Sequence, residues 1–279
     1  MAQAKLKRKF FKNEAKRIIF SEWLNAVIAT LVVVLVIAGL SAIQSAYLYL
    51  LSKQLSQNAT IAVSVFFNVA SALVFLPVLF GYIIWCVQKY EGDAAPVSNV
   101  FEVFSTPENL GRAYAVTLAF LMRAVVLFAI PVLLNYFLKL NTIRIEKHLS
   151  EIYPILPELF TVVSKLFILF FYSIAFSMTA KLFMFVYIAI KNPDMSLRMC
   201  SSKAAKLMRG HKVESVVLNF SFFGWILLSL FTAGVLFVIF VIPYMLLSII
   251  SFCSYLYAKN DNNLNNLEHV SLTKTVIKE

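Results

Sequence analysis

The stretch SVVLNFSFFGWILLSLFTAGVLFVIFVIPYMLLSIISFCSYLYA, residues 215–258, carries no charged side chain and decides the fold. As one α-helix its 44 residues would extend about 66 Å, roughly twice the ~30 Å hydrocarbon thickness of a bilayer. The run must therefore fold back once. Thr232, Ala233 and Gly234 mark the bend, since glycine reverses a chain at least cost, and they divide the run into spans Ser215–Phe231 and Val235–Tyr257. Both ends of such a hairpin lie on one side. The preceding segment, KNPDMSLRMCSSKAAKLMRGHK at residues 191–212, sets Lys191, Arg198, Lys203, Lys206, Arg209 and Lys212 against the single acid Asp194. An excess of Lys and Arg beside a span marks the cytoplasmic side.

The whole chain agrees with that reading. Its 279 residues are 61% hydrophobic and 14% charged, with a mean hydropathy of +0.81, which excludes an ordinary soluble domain. The formal net charge of +11 lies beside apolar spans rather than in a basic domain, so nucleic acid is not expected as a partner. Anionic phospholipid head groups are, at about 1 kcal/mol per base held near the surface. Cys86, Cys200 and Cys253 are widely separated and form no CxxC pair or disulfide framework.

Four further apolar runs complete the pattern. Residues 1–22 form a basic amphipathic segment, with Lys5, Lys7, Arg8, Lys9, Lys12, Lys16 and Arg17 interleaved with Leu6, Phe10, Phe11, Ile18, Ile19 and Phe20; it suits a helix on the inner leaflet. Spans are then expected at Trp23–Gln44, Ile61–Val87, Ala113–Leu138 and Leu166–Ile190, with loops around Lys53 and over Lys139–Glu158 on the outer side. The expected architecture is all-α: a polytopic membrane protein of six transmembrane helices over residues 23–258, with amphipathic surface helices on the cytoplasmic side and both termini inside. Residues 259–279 form a polar, Asn-rich cytoplasmic tail, expected to be mobile.

A few polar residues within the spans are candidates for function. Arg123 lies inside a span, and no Asp or Glu falls within any expected span to neutralise it. Such an Arg costs roughly 2.5 to 3.5 kcal/mol at the membrane centre, so it marks either an anion site, such as a lipid phosphate, or a guanidinium that snorkels or bonds backbone carbonyls near Pro131. Lys181 extends a stripe with Ser173 and Ser177, four residues apart and so on one helical face. Such stripes line a cavity or join helices through hydroxyl contacts. Lys203, Lys206 and Arg209, on the helix expected at Ser196–Arg209, offer a cytoplasmic interface to a partner, or an orienting surface resting on lipid. No metal, cofactor or catalytic residue is expected. His148, His211 and His269 stand alone, the glycines form no phosphate loop, and the carboxylates fall in loops and tails.

From Asn192 the succession of Asn192–Pro193, Arg209–Gly210, then Ser221, Phe222, Gly224 and Trp225, then Pro243–Tyr244 resembles the bacterial integral membrane family labelled domain of unknown function 975. Its members end in a similar NP, basic turn, SF-x-GW and PY series. Where that family tends to have IPG at the end of its third span, this chain has Ile130, Pro131 and Val132. The resemblance implies a multi-span bacterial membrane protein and brings no catalytic residues. The function expected is non-enzymatic, in the bacterial cytoplasmic membrane, through contact with lipid or a membrane-protein partner; the alternative is a small permease or lipid transporter for an anionic substrate.

Overall fold

The computed structural model describes residues 8–51, 56–152 and 155–276. Lys5, Lys7, Lys53 and Pro154 lie outside the described residues. Among the described residues the chain is helical apart from short connections and has no strand, with α1 at Arg8–Ser21, α2 at Trp23–Leu51, α3 at Gln57–Glu91, α4 at Pro107–Ile152, α5 at Leu156–Lys191, α6 at Leu197–Leu207, α7 at Lys212–Phe220, α8 at Phe223–Leu230 and α9 at Ile242–Val276. A 3₁₀ helix covers Val97–Phe104 and a π-helical turn covers Phe237–Val241. Among the described residues six segments are long and apolar enough to cross a membrane: Trp23–Leu50, Asn58–Glu91, Pro107–Lys139, Leu156–Lys191, Lys212–Leu230 and Phe237–Asn260.

The bend of the terminal hairpin falls where glycine chemistry puts it. Ala233 and Gly234 adopt φ of 49° and 85°, the left-handed region that reverses a chain. The descending arm is broken between α7 and α8 at Ser221–Phe222, and the ascending arm begins with the π-turn, so neither arm is one regular helix. The two breaks face each other through aromatic rings: Phe222 lies 5.0 Å from Tyr244, and Trp225 lies 5.4 Å from Phe240.

Two expectations need correction. Lys139–Glu158 is not an outer loop, because α4 runs unbroken to Ile152 and α5 starts at Leu156, so the two form a long helical hairpin. Charges there reflect a helix that continues past the apolar part of its span. The stretch from Leu138 to Ile152 has no Gly or Pro to stop it. The Asn-rich tail likewise continues α9 to Val276 rather than leaving regular structure at Lys259.

The protein-packed core sits at one end. Gly81 of α3 meets the 3₁₀ helix so closely that a Cβ would fall 1.9 Å from the Val100 carbonyl oxygen. Glycine is needed there for the contact rather than for a kink. Tyr82, Trp85, Cys86, Val100, Val103, Met184, Tyr187 and Phe252 are all buried around that joint. Within it the Tyr82 and Thr30 hydroxyls share a 2.8 Å hydrogen bond, and the Trp85 indole donates to the Ala95 carbonyl. The apolar face of α1, formed by Phe11, Ala15 and Ile19, is buried as well. It packs on protein, with Phe11 edge-on to Phe252 and Tyr255 of α9. The Lys89 ammonium pairs with the Glu22 carboxylate and fastens the end of α3 to the junction of α1 and α2.

Candidate functional site

The geometry of the site starts from Arg112, in the second turn of α4. One of its Nη atoms donates to the carbonyls of Ala189 (2.8 Å) and Asn192 (2.7 Å), and the other to Met195 (3.4 Å). Asn192–Pro193 stops α5 and leaves its last carbonyls without partners inside the helix. A guanidinium satisfies them and complements the negative end of the helix dipole. This clamp fixes the antiparallel register of α4 on α5. Eleven residues further along α4, and eleven back along α5, are each about 16 Å from it, which brings Arg123 opposite the turn from Lys181 to Phe185.

Arg123 is held there by three contacts. One Nη donates to the Ala119 carbonyl of its own helix at 2.8 Å, the other donates to Ser201 Oγ on α6 at 3.2 Å, and the guanidinium lies 4.5 Å above the Phe185 ring. The carbonyl it uses is four residues before it, not near Pro131. Beside it opens a cleft of about 160 Å³ whose wall includes Arg123, Lys181, Phe185, Ser201, Met208 and Lys212. Three cations therefore converge from α4, α5 and the start of α7, and no carboxylate lines the cleft. Arg123 and Lys181 are half-buried and Lys212 is exposed, so the group has a dry inner wall and an open mouth.

The residues expected to act together divide in two. Arg123 and Lys181 meet. Ser173 and Ser177 are buried and do not line the cleft; Ser173 Oγ donates to the Leu169 carbonyl of its own helix at 2.9 Å. Their segment of α5 packs on α7, where Asn219 donates to the Phe176 carbonyl at 3.0 Å. Serines of α9 form a joint of the same kind: Ser248 and Ser251 are fully buried, and Ser251 Oγ lies 3.3 Å from the Tyr90 hydroxyl of α3.

The three bases of the expected cytoplasmic interface are also divided. Lys203 turns inward, donates to the Tyr257 hydroxyl at 3.1 Å and lies 4.3 Å over the same ring, so it ties α6 to α9. Lys206 and Arg209 are exposed. Buried Cys200, Ala204 and Leu207 hold the helix down.

Sequence reasoning missed Arg112 and Ser201 and took Lys212 only as a mark of orientation. The signal for Arg112 was an NP helix stop that leaves carbonyls needing a donor. Among the described residues no group of three His, Cys, Asp or Glu side chains is placed to hold a metal.

A family described as Protein of unknown function (DUF975) matches residues 1–260. Neither a curated protein nor a solved structure matches the chain.

Proposed function

The chain belongs to that family, and from this premise we propose that it is a non-enzymatic protein of the bacterial cytoplasmic membrane that holds the phosphate of an anionic phospholipid in the cleft of Arg123, Lys181, Ser201 and Lys212. The observation that carries this reading is the meeting of three cations from three helices without a lining carboxylate. Like charges brought together in a partly dry site repel unless an anion joins them. A phosphate group offers several acceptors to the guanidinium and the two ammonium groups, and charge-assisted hydrogen bonds of this kind are the strong ones. The Ser201 hydroxyl adds a further donor.

Native mass spectrometry of the full chain, released from gentle detergent with phosphatidylglycerol or phosphatidylcholine, tests it. One phosphatidylglycerol per chain is expected to be lost in R123Q/K181Q, through an affinity about tenfold weaker at this cleft, the equivalent of ~1.4 kcal/mol. Equal retention of the two lipids by the wild type, or an unchanged double variant, would overturn the reading.

One observation favours a second reading, a small permease for an anionic substrate. Both arms of the terminal hairpin are broken, at Ser221–Phe222 and at the π-turn, and interrupted helices are how transporters expose backbone groups to a solute. Uptake of inorganic phosphate into proteoliposomes that is lost in R123Q/K181Q would support it. Vesicles no more permeable than protein-free ones would remove it.

A further inference from the structure

A second groove lies elsewhere, between α1 and the terminal hairpin, and encloses about 990 Å³. Its roof is one row of α1. Arg8, Lys12 and Lys16 recur every four residues and so project from one side of the helix, next to the row Phe11, Ala15 and Ile19 that seats it on the protein. Lys9 joins them at the rim. The floor and far wall are Val213 and Val217 of α7, Trp225 of α8 and Tyr244 of α9. The one lining carboxylate, Glu214, is already engaged by His211 Nδ1 at 2.7 Å.

Among the described residues Arg8, Lys12 and Lys16 form no ion pair. Lys12 Nζ donates to the Ser221 carbonyl at 3.3 Å and lies 4.3 Å over the Phe222 ring, while Lys16 Nζ lies 5.7 Å over Tyr244. Burial, then the neighbouring charges of Arg8 and Lys16, hold the Lys12 ammonium below the usual lysine range, as expected for a cation that lacks a counter-charge. Alongside the groove the α7 wall turns outward with Val213 at 73% and Phe220 at 44% exposure. Apolar side chains that exposed, on a candidate span, face acyl chains rather than water.

We propose that this groove is a second, independent site for an anionic phospholipid, with its phosphate under Arg8, Lys12 and Lys16 and an acyl chain along Val213, Val217 and Trp225. The charge pattern fits any phosphate. The volume and the continuous apolar wall select a lipid over the free anion. The site shares no residue with the Arg123 cleft.

Trp225 provides a readout local to the groove. In detergent, saturable quenching by brominated phosphatidylglycerol is measured for wild type and for W225F, and the difference isolates Trp225. Saturable quenching of Trp225 by phosphatidylglycerol, at least tenfold tighter than by brominated phosphatidylcholine, is expected. It should weaken at least tenfold in R8Q/K12Q/K16Q and survive in R123Q/K181Q. The pair R8Q/K9Q alters exposed bases at the rim without removing the Lys12 contact, and a partial loss there guards against a triple variant that misfolds. Equal quenching by both lipids, no loss in either N-terminal variant, or displacement of the lipid by millimolar inorganic phosphate would overturn the proposal. Loss in R123Q/K181Q alone would show that the quenching lipid sits in the other cleft.

Discussion

The packed end of the molecule and the outward-facing arms, α4 and α5 above all, are built from sequence of similar hydropathy, yet they differ in what covers it. In the apolar window of Phe237–Asn260 61% of residues are buried in protein, against 11% in that of Leu156–Lys191. Along α4 and α5, Val125, Val126, Leu133, Phe137, Leu166 and Phe170 are all exposed. The difference teaches that hydropathy reports removal from water, not what replaces it. At the packed end the substitute is other side chains, placed by close contacts and paired hydroxyls. On the arms no other described part of the chain does so, and the exposed apolar surface suits acyl chains, which tolerate many residues.

That contrast can be broken most directly at Gly81. G81A should push the 3₁₀ helix off α3, since backbone that close cannot yield, and cost about 3 kcal/mol or more. G39A on the α2 arm, with no heavy atom within 4 Å of the added Cβ, should leave stability unchanged or raise it by up to ~1 kcal/mol. Thermal unfolding in detergent compares the two, and equal effects would contradict the contrast. Next in size is R112Q, which removes a charged donor from three carbonyls and should lower stability by about 2 kcal/mol. The α4–α5 register should loosen with it, read as lost crosslinking between cysteines introduced at Ala119 and Phe185.

A smaller loss, about 1 kcal/mol, is expected for Y82F at the packed end, because Thr30 keeps its 2.8 Å bond to the Ala26 carbonyl. The exposed F170L on an arm should be silent in the same assay. Least of all is the pH response of the Glu22–Lys89 tie. Hydrogen bonding from Lys89, then from Asn25, lowers the Glu22 carboxyl below its usual value. Its contribution is therefore present above the ordinary carboxylate range and is lost as pH falls through the lowered value. A slight drop in unfolding temperature on acidification, absent in E22Q, is the expected result.

Much of the architecture was legible in the chain because its signals are local. Charge-free runs long enough to span, and the Thr232–Ala233–Gly234 reversal, need no knowledge of neighbours. The Lys139–Glu158 stretch misled because charge and prolines suggest a loop, whereas a helix that has left the hydrocarbon can carry charge and continue, as α4 does to Ile152, and Pro157 is tolerated in the first turn of α5. The cleft was half legible. Arg123 and Lys181 stand out as cations in apolar runs, but their meeting depends on a register set by Arg112 on the carbonyls of another helix, and no pattern of spacing encodes that. Ser173 and Ser177 share a face with Lys181 in projection, yet that face is wide enough for the lysine to reach a cleft while the serines stay in a helix joint.

The seating of Phe11 against Phe252 and Tyr255 also governs the order of assembly. The ribosome makes α1 before α9, so the apolar row of the first helix lacks its main protein surface until the last span has been inserted. Until then Phe11, Ala15 and Ile19 must be sheltered by the bilayer or by a chaperone. Closure of the fold is thus a late event joining the two ends of the sequence, and a chain truncated before α9 would keep its first five spans but lose the seat of Phe11.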